Sequence, residues 1–134
     1  MDSRGFDVRL PPIPTSPGAA RRYVENALSG SLDQDRMELV RLVVSELVAN
    51  SVRHARLAPT DAVEVIGSID PRTLHIEVRD LGPGFEPERV RLSEADTGWG
   101  LHILDQLADR WGTTNTESST VWFEMDLPAT GDAG

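Results

Sequence analysis

Two rhythms of apolar residues organise the chain. Helical spacing runs through residues 34–56, and strand-like runs rich in β-branched residues cover 62–69 and 73–79. Ahead of them, Phe6 to Leu10 alternates weakly and reads as a strand, stopped by Pro11, Pro12 and Pro14. Ser16 followed by Pro17 predicts a helix start: a capping hydroxyl, then a proline whose missing N–H costs nothing in the first turn. That helix runs to about Leu28 and ends at Gly30. Asp33 can cap the next helix, which continues to about Arg56, and Pro59 closes the region. The runs 62–69 and 73–79, joined by D-P-R, predict an antiparallel hairpin. Residues 85–97 read as a loop, Gly98 to Arg110 as a helix through Leu101, Leu104 and Leu107, and 111–117 with 119–127 as a second hairpin. The tail 128–134 has no means to order itself. This order predicts one domain over 6–127, an α+β two-layer sandwich with a largely antiparallel sheet and helices on one face.

The second helix carries an unusual row. Glu46, Asn50 and His54 fall four residues apart, with Asn50 about 40° and His54 about 80° around the helix from Glu46. Leu39 and Val43 occupy the same azimuths upstream, so the row is a local polar patch on a helix that is otherwise apolar nearly all round. Glu38, Arg41 and Ser45, on a different side, are the expected water-facing stripe. Either the helix end emerges into water, or Glu46 and Asn50 floor a cleft. A Glu beside an amide oxygen suits a hard cation such as Mg2+, and the carboxylate could polarise a water or a substrate hydroxyl.

Composition narrows the choices. The net charge of −9 argues against nucleic acid as a partner, because such binding draws its affinity from neutralised phosphates. All 13 basic residues are arginine, so a P-loop lysine is excluded, and phosphate would meet Arg, backbone N–H groups or a metal. No cysteine is present, which excludes disulfides and thiolate metal sites. No apolar run approaches the ~20 residues of a membrane span, and the first residues lack a signal-peptide layout, so a cytoplasmic protein is expected.

Two glycine loops give the polar patch a ligand. Asp80-Leu81-Gly82-Pro83-Gly84-Phe85 follows a strand, and its glycines permit positive φ and close approach of a ligand. In isolation D-x-G is also a plain turn. Thr97-Gly98-Trp99-Gly100-Leu101 opens a helix, where exposed N–H groups and the helix dipole favour an anion. Together the loops suit a nucleotide, with its base at the first and its phosphates at the second.

These segments match a known pattern. E-L-V-A-N-S-V-R-H-A resembles the N box of the GHKL ATPase superfamily, D-L-G-P-G-F its G1 box and G-W-G-L its G2 box. Within it the chain looks like the anti-sigma-factor serine/threonine kinases, with E-L-V-x-N-x-V-x-H-A and the closing T-V-W-F-E, across about residues 6–127. The resemblance implies the Bergerat (histidine-kinase-like ATPase) fold, a mixed, mostly antiparallel sheet with ATP between its helical face and a lid. It also implies Asn50 as a ligand of Mg2+, Glu46 as general base and Asp80 as acceptor from the adenine amine. Gly82 and Gly84 would shape the adenine pocket, Gly98, Gly100 and Leu101 would wrap the phosphates, and Thr120 would help hold an adenine-side water. His54 matches a family position without an assigned role.

One departure bears on activity. Relatives often place a basic residue near the second glycine box, where this chain has Asp96 and Trp99; Arg89 or Arg91 could substitute. The resemblance implies an ATP-binding serine/threonine kinase that regulates transcription by partner switching. It would hold a sigma factor in one state and phosphorylate an anti-anti-sigma substrate in another. The alternatives are a catalytically weak ATP-binding module that sequesters a partner, and simple ATP hydrolysis. A homodimer through the first strand and helix is also implied.

Overall fold

The computed structural model describes residues 3–54, 60–80, 104–115 and 119–128. Their elements are β1 (Arg4–Leu10), α1 (Ser16–Ala27), α2 (Gln34–His54), β2 (Val63–Ile69), β3 (Thr73–Asp80), β4 (Arg110–Asn115) and β5 (Ser119–Asp126). The strands form one sheet in the order β1-β2-β3-β5-β4. All four pairings among the described residues are antiparallel, in keeping with the mostly antiparallel sheet that was expected.

Helix α1 begins one residue earlier than the capping pattern predicts. Thr15 is its N-cap, without a side-chain cap bond, and Pro17 sits in the first turn. Ser16 lies inside the helix, where its buried hydroxyl donates to the Pro11 carbonyl at 2.5 Å and ties the proline turn to the helix. At the other end Gly30 has φ +82°, a conformation costly to any side chain. The expected cap of α2 is present: Asp33 Oδ1 accepts from the Arg36 N–H at 2.8 Å. Asp70 organises the β2–β3 turn, its Oδ1 accepting from the N–H groups of Arg72 and Thr73. A helical turn spans 104–107 and β4 starts at Arg110, so the helix expected to reach Arg110 stops short of it. Residues 98–103, the loop 85–97 and the tail from 129 lie outside the described residues.

Strand alternation decides the rest. Leu74, Ile76 and Val78 of β3 are buried together with Val63 and Val65 of β2 and Phe123 and Met125 of β5. Onto this face α2 packs Val40, Val43, Val44, Leu47 and Val48, and α1 packs Ala20, Val24 and Leu28. The core is therefore aliphatic, with Phe123 its largest fully buried side chain. Gly67 leaves room for Phe6 from β1: a Cβ at 67 would come within 2.2 Å of the Phe6 ring. The opposite face of the sheet carries no helix among the described residues.

Candidate functional site

The row on α2 lies at the shoulder of the core. Val43, Val44, Leu47 and Val48 are buried, while Glu46 and Asn50 are half-buried. The side that meets water carries Asp35, Glu38, Leu42 and Arg53. Arg41 and Ser45, expected to share it, are half-buried instead. Arg41 turns toward α1 and pairs with Glu25 at 3.1 Å, and the Ser45 hydroxyl donates to the Leu42 carbonyl. Glu46 and Asn50 thus stand between the solvated stripe and the apolar stripe, the position from which a helix side chain reaches the floor of a cleft.

Asp80 ends β3 in the same alternation that buries Leu74, Ile76 and Val78, and it is itself 9% exposed. A carboxylate in a row of aliphatic side chains is held at a desolvation cost that a hydrogen-bond donor must offset. Its chain neighbour Arg79 belongs to the other face, where it meets Glu64 and Glu77. The sheet therefore delivers one carboxylate to its helical side, at the strand end from which the first glycine loop departs.

Thr120 is on the other side. It pairs with Arg79 in the β3–β5 register and lines an outer-face hollow with Thr114 and Trp122. The position opposite Asp80 is residue 119. A period of two means that one residue of register moves a side chain through the sheet, and a sequence match alone does not fix that side. Gly82, Gly84, Gly98, Gly100 and Leu101, with Arg89, Arg91, Asp96 and Trp99, lie outside the described residues, as does the His54 side chain.

Arg53, which the sequence reading passed over, stands beside the candidate Asn50. Its Nη2 donates to Asn50 Oδ1 at 3.2 Å, which sets a guanidinium beside the amide. The i,i+3 spacing from Asn50 was the available signal. An amide oxygen has two lone pairs, so Asn50 can accept from Arg53 and keep one for a cation. Among the described residues no group of three or more His, Cys, Asp or Glu could hold a metal ion. The donor set present, one amide oxygen and one carboxylate a helical turn apart, fits a cation that arrives with phosphates and keeps waters, as Mg2+ does. Among the described residues no helix is long and apolar enough to cross a membrane.

No curated protein matches the chain. Among solved structures it is similar to the crystal structure of the RsbU and RsbW domains of Rv1364c from Mycobacterium tuberculosis. The TM-score is 0.72 at 16% identity, covering 94% of this chain and 34% of that one. The chain thus spans about a third of the length of that solved chain, and the likeness is one of fold. The model of the histidine kinase-like ATPase domain matches residues 10–125, and the chain belongs to that family.

Proposed function

We propose that the protein is an ATP-binding serine/threonine protein kinase of the anti-sigma-factor type that acts by partner switching. The observation that carries the reading is Asp80: a carboxylate buried on the helical face, at the end of the strand that leads into D-L-G-P-G-F. The family match over 10–125 supports ATP as its ligand. In this reading the Asp80 carboxylate accepts from the exocyclic amine of adenine. Gly82 and Gly84 shape that pocket, and Gly98, Gly100 and Leu101 enclose the phosphates.

Asn50 offers its oxygen to Mg2+, which supplies positive charge to the phosphate oxygens. Arg53, beside Asn50, adds a cation of the protein at that end to Arg89 or Arg91, a role that falls to arginine in a chain without lysine. Glu46, one helical turn from Asn50, takes the proton of the acceptor hydroxyl as its oxygen bonds to the terminal phosphorus and ADP leaves. The partners, a sigma factor and an anti-anti-sigma substrate, would be met in the cytoplasm. The similarity to a structure containing an RsbW domain supports a partner of this kind.

The test is transfer of labelled phosphate from ATP to candidate protein partners. The parent should phosphorylate a Ser or Thr of one of them. Glu46→Ala should bind nucleotide as the parent does and transfer nothing. A Glu46→Ala variant that transfers at the parent's rate removes the base assignment. Stoichiometric partner binding without transfer by the parent would favour the second reading, a sequestering module, for which Asp96 and Trp99 at the second glycine box are the sequence argument. A homodimer through β1 and α1 belongs to the same proposal, and a monomer mass by light scattering would count against it.

A further inference from the structure

The outer face of the sheet, away from α1 and α2, carries a continuous line of charged contacts across all five strands. Arg9 of β1 lies 3.7 Å from Glu64 of β2. Arg79 of β3 reaches Glu64 at 3.8 Å and Glu77 at 3.1 Å. At the other end Arg110 of β4 lies 2.7 Å from Glu124 and 2.5 Å from Asp126, both on β5. His75 closes the gap between the two halves. Its Nε2 is 3.0 Å from Glu77 Oε2 and its Nδ1 is 3.0 Å from Glu124 Oε2.

This geometry constrains the ring's protons. A neutral imidazole has one N–H and one lone pair, so one of two facing carboxylates would meet a lone pair. Two carboxylate contacts at hydrogen-bond distance require a donor at each nitrogen, which is the imidazolium. Trp122 supports the same state: its indole stacks on the ring at 5.7 Å and 20°, an arrangement that favours a cation. Gly112 on β4 makes the arrangement possible, because a Cβ there would come within 2.9 Å of the indole. Each nitrogen faces a different carboxylate on opposite sides of the ring, so the residues surround a proton position and not a common metal position, in keeping with the lack of a metal-holding group among the described residues.

We infer that His75 is a proton-operated clamp between β3 and β5, tying Glu77 to Glu124 as imidazolium and releasing one of them when neutral. The groups that touch it are Glu77 from β3 and Glu124 and Trp122 from β5; behind them stand Arg79 of β3 on Glu77, Arg110 of β4 on Glu124 with Asp126 of β5, and, through Arg79, Glu64 of β2. Arg110 uses Glu124 Oε1 and leaves Oε2 to the imidazole, so the two cations share one carboxylate without competing for an atom. Burial pushes the His75 pKa down, but the bonds to Glu77 and Glu124 outweigh it and raise the pKa above the ordinary 6.5. A raised value means that the clamp is fully closed below the unfolded value and opens as pH rises through the folded one. The outer face is thus tightened by protons below the folded value of His75 and loosened as pH rises through it.

The test is a ring-nitrogen NMR titration of the full chain, with His75→Gln identifying the resonance among the three histidines. His75 should titrate above 6.5 and carry protons on both nitrogens at its acid limit. Glu77→Gln and Glu124→Gln should each lower the midpoint. Amide protection in β3 and β5, corrected for intrinsic exchange, should fall through the same midpoint. Titration at or below 6.5 in the parent, or a midpoint that neither Gln variant moves, overturns the clamp. Should His75→Gln not fold, the two Gln variants and Trp122→Phe still identify the resonance and keep the outcome decisive.

Discussion

Asp80 is the residue on which the functional reading turns, because β3 alternation places a carboxylate where the pattern of Leu74, Ile76 and Val78 calls for an aliphatic. If Asp80 accepts from the adenine amine as proposed, replacing it with Ala should weaken adenine-nucleotide binding by about 10–100-fold, the equivalent of about 1.5–3 kcal/mol. Arg53→Ala should weaken binding of ATP more than of a nucleotide without phosphates, and an equal effect on both would remove it from the phosphate end. Single residues were legible to different degrees. Glu46, Asn50 and Asp80 stand out as candidates by helix azimuth, strand position and motif, all of which survive without coordinates. The face on which Thr120 lies was not legible, because a motif fixes neighbours along the chain but not the side of the strand. The residue opposite Asp80 is 119, one step away. Arg53 was missed because a basic residue at a helix end has an ordinary solvated explanation until the amide beside it is seen.

At the scale of elements, α2 joins core to site. Its stripe of Val40, Val43, Val44, Leu47 and Val48 fixes the helix on the sheet, and the same rotation leaves Glu46 and Asn50 at the shoulder. The predicted water-facing side was off by part of a turn, since the Arg41–Glu25 pair is an α1–α2 contact that helix periodicity cannot foresee. Strand limits were legible where turns carry their own chemistry, as at Asp70, and less so at Arg110, where helical spacing ran on into β4. Phe123 is fully buried between sheet and helices, and Phe123→Ala should cost about 3–5 kcal/mol of stability in denaturant unfolding. Gly67→Ala should cost about 1–3 kcal/mol by driving Phe6 out of its place, and a paired Phe6→Leu should recover part of the loss.

For the whole molecule, the two faces of one sheet have separate work: the helical face holds the core and Asp80, and the outer face holds a line of charge. That line predicts the pH profile of stability. Bonds from Arg110 and then His75 hold the Glu124 carboxyl below its usual 4.5, and bonds from Arg110 hold Asp126 below 3.8. The Arg36 N–H does the same for Asp33. Depressed carboxylates stabilise the fold above their ordinary values, and the contribution is lost as pH falls through the folded ones. His75 acts in the opposite direction on the alkaline side. Thermal unfolding should therefore show a plateau from the weakly acidic range to near neutrality, with His75→Gln removing the alkaline decline and leaving the acid limb in place. The fold class was legible because all of its strands announce themselves by alternation or turns, whereas the outer-face line depends on register between strands far apart in sequence. The central claim, a nucleotide site on the helical face with Asp80 at the base, is tested most directly by calorimetric titration of the parent, Asp80→Ala and Thr120→Val with ATP and Mg2+. The account predicts one site in the parent, a loss of about tenfold or more in Asp80→Ala and no change in Thr120→Val. An absence of binding in the parent, or equal affinity in Asp80→Ala, would contradict it.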